Sequence, residues 1–452
     1  VPAYRNRIWD GKIRLFNLTT QQIYLGMIPY IKEFAEEREY IIELDETEDE
    51  FSEYLAKKFI ESLNIHSNGK PIEVREHQLA AFIHAMQSRR ALLLSPTASG
   101  KSLIIYLIFR QLHLYQNMKG LIIVPTTSLV EQLYSDFGDY NDGTMDHFIH
   151  RIYQGKEKDT DKPLTISTWQ SLYKMPKEYF EQFDYVIGDE AHNFKAQSLT
   201  TILTSCVNAK YRIGLTGTLD GTKTHKLVLE GLFGPVYQAT STAELIDKGQ
   251  LASFKIKCLI LKHPESVCKE AKSWDYNQEL EYIVKNTTRN NFIRNLALSL
   301  NGNTLILFQF VEKHGKNLYA NIEEHAKNRH TFFVFGGTDV EVRESVRSIT
   351  EKERNAIIVA SYGTFSTGVN IRNLHNIIFA SPSKSRIRNL QSIGRGLRIG
   401  DNKDEATLFD ISDDFRIGKF TNHTLKHFIE RVKIYDDEKF KYKFYNIELK
   451  YE

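Results

Sequence analysis

A chain of 452 residues is longer than one hydrophobic core ordinarily serves, so two or three domains are expected. Apolar residues make up 41% and charged residues 26%, while Lys+Arg 59 against Asp+Glu 57 leaves a formal charge of only +2. That balance excludes a general basic field, so any attraction for nucleic acid must come from local patches.

No apolar run approaches the roughly 20 residues of a membrane span, and no secretory apolar segment opens the chain. Cys206, Cys258 and Cys268 lack C-x-x-C spacing, which points to a reducing, cytoplasmic compartment and away from a disulfide framework or a zinc site. The start at Val1-Pro2, without Met, is expected to be that of a fragment.

Residues 5–16 read as a hairpin turning at Asp10-Gly11. Arg5, Arg7, Lys12 and Arg14 cluster around Trp9, which fits either a nucleic-acid contact or a solvated strand face over a small core. Carboxylates then crowd Glu33 to Glu53, a stretch that repels phosphate and reads as a solvated helix and linker. Residues 1–70 are expected to form a small accessory α+β domain.

From Ile72 the pattern becomes that of a parallel α/β sheet. Short apolar strands (Ala91–Leu94, Gly120–Val124, Leu164–Ile166, Tyr185–Ile187, Arg212–Leu215) alternate with helical stretches. A second set follows, at Lys255–Leu261, Thr304–Phe308, Thr331–Phe335, Ala356–Ala360, Asn376–Ala380 and Ala406–Asp410. Two α/β domains are therefore expected, over 71–235 and 236–415, with 219–254 as their connection. The tail, 416–452, carries Leu425, Phe428, Ile429, Val432 and Tyr435 at helical spacing and ends in Lys439-Phe440-Lys441-Tyr442-Lys443-Phe444-Tyr445. It reads either as a docked amphipathic helix with lysines in water or as a base-stacking, phosphate-contacting segment.

Within the first set, Ser95-Pro96-Thr97-Ala98-Ser99-Gly100-Lys101-Ser102 sits between a strand and a helix. That context suits a phosphate-cradling loop. Successive N–H groups and the helix N-terminus face phosphate oxygens, Lys101 adds a point charge, and the Ser102 hydroxyl can ligate Mg²⁺. Ser95 stands where the full pattern has its first glycine. Further along, Asp189 and Glu190 follow a strand of the same sheet. The first can hold Mg²⁺ opposite Ser102 and the second can orient or deprotonate an attacking water.

A P-loop followed by Asp189-Glu190-Ala191-His192, a DEAH box, resembles superfamily two helicases, and the resemblance covers about 72 to 415. It implies two tandem RecA-like domains, with Thr97 to Ser102 holding ATP. Arg75-Glu76-His77-Gln78 looks like the family's adenine-reading motif, with Gln78 on the base. Val124-Pro125-Thr126 and Ser167-Thr168-Trp169-Gln170 resemble loops that hold a nucleic-acid backbone, and Thr364 in the second domain is assigned the same role. Thr216-Gly217-Thr218 matches the motif linking hydrolysis to strand movement, which adds His192, Thr216 and Thr218 as coupling residues.

The stretch Ser361 to Asn370 resembles the fifth motif, with Gly368 near the nucleotide. Gln391-Ser392-Ile393-Gly394-Arg395-Gly396-Leu397-Arg398 resembles the sixth. Arg395 and Arg398, with Gln391, are expected to stabilise charge spreading over the γ-phosphoryl oxygens, an effect typically worth ~10³–10⁵ in rate.

Trp9-Asp10-Gly11-Lys12-Ile13-Arg14-Leu15-Phe16, the P-loop form lacking its first glycine, and Tyr435 to Phe440 together resemble the UvsW family of phage recombination helicases. That likeness implies an ATP- and Mg²⁺-dependent enzyme, acting as a monomer in the bacterial host cytoplasm. Its substrates would be branched or single-stranded DNA and RNA–DNA hybrids in recombination, repair and replication. A duplex translocase that separates no strands and a binding protein whose affinity ATP sets are the alternatives. A protein translocase would need inserted substrate domains, for which the motif spacing leaves no room.

Overall fold

The computed structural model describes residues 10, 12–44, 51–153, 160–367, 371, 373–382, 385, 393–394 and 405–451. The chain divides into two compact units, one of Val1–Ser95 and Ser99–Thr240, the other of Pro96–Ala98 and Ser241–Glu452. No described helix is long and apolar enough to cross a membrane.

The first unit is built on a sheet of seven strands: β1 (Arg90–Leu94), β2 (Gly120–Val124), β3 (Ile149–Ile152), β4 (Leu164–Thr168), β5 (Tyr185–Asp189), β6 (Tyr211–Thr216) and β7 (Val236–Gln238). Their order is β7-β1-β6-β5-β2-β4-β3, and every pairing is parallel. β2, β4 and β5 are buried along their whole length, as strands covered on both faces are; β2 is apolar throughout, while β4 also buries Thr165, Ser167 and Thr168 and β5 ends in the buried Asp189. β5 and β6 lie between β1 and β2, so the strand order reverses beside β1. In an open α/β sheet, ligands bind at the carboxyl ends of the strands at such a reversal.

The helices used below are α1 (Ile28–Glu36), α2 (Glu53–Ser62), α3 (Glu76–Ser88), α4 (Lys101–Gln116), α5 (Thr127–Tyr140) and α6 (Lys223–Phe233). α4 is apolar all round from Leu103 to Phe109, and each of those residues is buried. That stretch therefore runs inside the unit, whereas Leu114 and Tyr115 in the last turn are exposed.

Of the expected N-terminal hairpin, Trp9 and Gly11 lie outside the described residues. The described ribbon pairs Phe16–Asn17 with Gln22–Ile23, and the Asp10 carboxylate accepts from the Lys12 N–H. This segment is held on α6. A methyl group on Gly26 would meet the Glu230 carbonyl oxygen at 1.9 Å, and the Tyr30 hydroxyl donates to the Glu230 carboxylate at 2.6 Å.

The second unit repeats the plan with β8 (Ser253–Lys262), β9 (Thr304–Phe308), β10 (Thr331–Val334), β11 (Ile357–Ser361), β12 (Asn376–Phe379), β13 (Glu405–Asp414) and β14 (Lys441–Glu448). The order is β10-β11-β9-β12-β13-β8-β14, again parallel throughout. The tail forms helix α7 (His423–Asp437) and then the edge strand β14, so the basic–aromatic stretch continues a sheet.

α7 docks through Leu425, Phe428 and Tyr435, while Ile429 faces solvent. Its anchor is ionic as well as apolar. Arg431, fully buried, donates from Nε and Nη2 to the Asp410 carboxylate, which also accepts from the Tyr435 hydroxyl at 2.7 Å. An ion pair buried this deeply persists because further hydrogen bonds occupy its remaining valences.

Candidate nucleotide-binding site

The register of the first sheet places the chemistry. Leu94 pairs with Thr216, Leu215 with Asp189, and Val124 with Thr168, so the segments after β1, β2, β4, β5 and β6 leave along one carboxyl edge. Lys101, Ser102, Thr126, Thr168, Asp189, Glu190, His192, Thr216 and Thr218 are thereby gathered there by backbone register alone.

The loop from Ser95 to Gly100 is held by its own side chains. Ser95, completely buried, shares a 2.6 Å hydrogen bond between its hydroxyl and that of Ser99, and its N–H donates to the Thr216 carbonyl at 2.9 Å. A serine therefore serves where the pattern expects glycine, by bracing the loop across its width. Left-handed backbone falls instead at Ala98 (φ 67°) and Gly100 (φ 85°). Gly100 is needed twice over, because a Cβ there would also sit 2.2 Å from Gln78 Nε2.

α4 starts immediately after Gly100, so its first N–H groups lack helical acceptors and face the loop's concavity. The Lys101 ammonium donates to the Ser95 carbonyl at 3.3 Å. Gln78, expected on the base, braces the protein here. Its Nε2 donates to the Ser99 carbonyl at 3.0 Å and its Oε1 accepts from the Arg75 N–H at 2.9 Å.

Two contacts at this loop were not legible in the sequence. His77 Nε2 donates to the Ser99 carbonyl at 2.9 Å, and the Tyr140 hydroxyl lies 2.8 Å from Ser102 Oγ. The signal for His77 was its place beside Gln78. For Tyr140, the last residue of α5 and remote from the loop in sequence, there was none.

Asp189 ends β5 in a buried position, and burial pushes its carboxyl up to about 6. The Glu190 charge pushes the same way, while the Lys101 ammonium and the Glu190 N–H, which donates at 2.9 Å, oppose it. A carboxylate so poorly solvated, facing Lys101, favours an added cation. With the Ser102 hydroxyl it supplies the one carboxylate and one hydroxyl that Mg²⁺ commonly takes beside substrate phosphates.

Glu190 turns in left-handed backbone (φ 49°), which throws its side chain toward His192. His192 Nδ1 lies 3.3 Å from a Glu190 oxygen and 2.9 Å from Thr216 Oγ1. The Thr216 hydroxyl is already spent donating to the Thr218 carbonyl at 3.0 Å, so Nδ1 must carry the proton and donate to Thr216. Glu190, His192, Thr216 and Thr218 thus form one chain of contacts. It leads into α6, the helix that carries the N-terminal segment.

The three threonines assigned to nucleic acid each have a local partner. Thr126 caps α5 by accepting from the Leu129 N–H, Thr168 Oγ1 lies 3.0 Å from Ser171 Oγ, and Thr364 Oγ1 lies 2.8 Å from Ser361 Oγ. Thr126 and Thr168 close neighbouring strand ends, whereas Thr364 belongs to the second unit, after β11. Gly368, Gln391, Arg395 and Arg398 lie outside the described residues.

Two family models match the chain. The type III restriction enzyme res subunit family covers residues 45–221, and the helicase conserved C-terminal domain family covers 288–400. The ATP-dependent DNA helicase uvsW of Enterobacteria phage T4 is 34% identical over 98% of this chain and 91% of its own length. The DNA 3'-5' translocase XPB2 of Sulfurisphaera tokodaii is 29% identical over 42% of this chain and 40% of its own. Among solved structures, the ATP-dependent type ISP restriction-modification enzyme LlaBIII bound to DNA aligns with 84% of this chain and 31% of its own. Its TM-score is 0.63 and its identity 17%, a likeness of fold.

Proposed function

The chain belongs to the helicase family of phage T4 UvsW, and we propose that it is the ATP-driven motor of a helicase acting on branched DNA. The enzyme is a nucleic-acid-dependent ATPase of tandem RecA-like build. The observation that carries the site assignment is the buried Asp189 carboxyl, pushed up to about 6, in the field of Lys101 beside the loop at Ser95–Gly100.

In this reading the ATP phosphates rest on the N–H groups of Ser99 to Ser102 and on the Lys101 ammonium. Ser102 and Asp189 are the residues that would hold Mg²⁺, whose charge would offset that of the phosphates. Glu190, held in left-handed backbone, orients the attacking water and takes its proton. His192, Thr216 and Thr218 pass the state of that carboxylate to α6. The assignment of Gly368, Gln391, Arg395 and Arg398 to the nucleotide rests on the sequence. Thr126, Thr168 and Thr364 are assigned to the strand backbone, contacts that hold any sequence alike.

Four-way junctions, forks and the RNA–DNA hybrids of R-loops are the substrates we infer. The decisive experiment measures ATPase on single-stranded DNA, duplex, a four-way junction and an RNA–DNA hybrid, with Lys101→Ala in parallel. Branched substrates should stimulate most, and Lys101→Ala should abolish turnover on all of them while leaving the melting temperature unchanged. Normal turnover in that variant would overturn the site. Equal turnover with and without nucleic acid would overturn the motor.

A further inference from the structure

One surface of the second unit carries none of these motif residues. β8, β13 and β14 stand side by side, and the register sets Lys255 directly opposite Lys441 and Lys257 directly opposite Lys443. Paired residues of parallel strands share a face, so all four lysines emerge on one side of the sheet.

Farther along the same strands that face is covered, at Leu259, Leu261, Ile411 and Ile447, by the apolar cluster that includes Ile293 and Leu318. The half carrying the lysines is open. Lys255, Lys441 and Lys443 are exposed, Lys257 is partly so, and Tyr445 beyond them is 41% exposed.

We propose that this open half-face binds the phosphate backbone of nucleic acid, as a second contact outside the motor's strand-end loops. Neighbouring strands about 4.8 Å apart and alternate residues about 6.6 Å apart place four ammonium groups on a compact grid. Like charges set directly opposite destabilise a sheet, and a bound polyanion relieves that repulsion.

Glu405 takes Lys255 at 2.5 Å and the Phe409 ring lies 5.4 Å from the Lys257 ammonium. Lys257, Lys441 and Lys443 have no ion pair among the described residues. Lysines on an edge strand commonly serve to block strand addition. That accounts for Lys441 and Lys443 on β14. It does not account for Lys255 and Lys257, because β8 lies inside the sheet, between β13 and β14. The identity of the polyanion rests on the helicase reading above.

The test is a salt series of DNA-binding isotherms, on duplex and on single strand, for the full chain and for Lys257→Gln, Lys441→Gln and Lys443→Gln combined. Each lost phosphate contact on duplex lowers the slope of log K against log salt by about 0.9, so a loss of up to about 2.7 is expected. ATPase without DNA should be unchanged, since none of the three belongs to the residues assigned to the nucleotide.

The corresponding Lys→Arg triple variant, which keeps the charge and guards against a folding defect, should retain the parent slope. An unchanged slope on both DNAs in the glutamine variant overturns the proposal and leaves only edge protection. So does an unchanged slope combined with lost binding of polyglutamate, which would mark an acidic protein partner. Failure of the motor reading would appear elsewhere, as DNA binding without DNA-stimulated ATPase in the unsubstituted protein.

Discussion

Tyr140→Phe isolates one oxygen. The ring is held by Tyr106, with centroids 5.4 Å apart, and phenylalanine keeps that contact while deleting the hydroxyl that meets Ser102 Oγ at 2.8 Å. Burial, with the Asp136 charge, pushes the phenol well above its ordinary value, so it stays neutral, and its oxygen can accept a hydrogen bond from the Ser102 hydroxyl. When the Ser102 oxygen turns a lone pair toward a cation, its own proton needs an acceptor, and Tyr140 is the group in reach.

A neutral hydrogen bond is worth about 0.5–1.5 kcal/mol net, so the Mg²⁺ concentration at half-maximal ATPase should rise about 2- to 13-fold in the variant. The maximal rate at saturating Mg²⁺ should stay near that of the parent. Tyr140 also ends the 14-residue helix that Thr126 begins, a rod about 21 Å long joining the proposed strand contact to the metal ligand. DNA should therefore lower the Mg²⁺ requirement of the parent more than that of the variant. The assay is a Mg²⁺ titration of ATPase at fixed ATP, with and without DNA. An unchanged or lower half-saturation in the variant refutes the reasoning, for then the hydroxyl competes with the cation or ignores it.

Two further outcomes concern stability and docking. His314 is fully buried between Ser381 and Asn290, and burial, with the nearby Arg289 charge, pushes its imidazole down to about 3 from 6.5. The unfolded chain takes this proton first, so its contribution is complete above pH 6.5 and falls by about 1.4 kcal/mol per unit toward pH 3. His314→Asn should remove about 2 kcal/mol of the difference between pH 7 and pH 5 in urea unfolding, and an unaltered difference would contradict the assignment. Gly26→Ala should push the N-terminal segment off α6, since the new methyl would lie 1.9 Å from the Glu230 carbonyl oxygen. Limited proteolysis should then cut within residues 12–44 while ATPase without DNA persists, and an unchanged cleavage pattern would count against the docking.

Much of the site was readable because its geometry is local. A strand, a loop of small residues and a helix start fix where consecutive N–H groups point, and parallel register then aligns the strand ends without further information. The two sheets were equally open to reading, since strands covered on both faces, such as Gly120–Val124 and Thr304–Phe308, are largely apolar. The roles of Ser95 and Ala98 were not. Ser95 looked like a departure from the pattern, and only its buried contact with Ser99 shows how a hydroxyl can close a loop that elsewhere needs a glycine. The left-handed backbone at Ala98 leaves no mark in an alanine.

Pairings between remote residues escaped for a different reason. Arg431 lies within the tail's amphipathic pattern, and on its own an arginine in a helix reads as solvated. Its burial depends on Asp410, which a different strand supplies. The tail carried a usable signal in its period of two, with Lys441, Lys443 and Tyr445 alternating against Tyr442 and Phe444. That period marks a strand, whereas the apolar spacing just before it marks a helix. The alternation could not say which strand would accept it. The partner, β8, lies far back in the chain, and only the register with Lys255 and Lys257 turns two edge lysines into a basic surface. Local pattern therefore fixes what each segment becomes, while charge acquires its meaning from register. Ionic contacts in this protein, including the proposed backbone-binding face, become readable only after the sheets have been assembled.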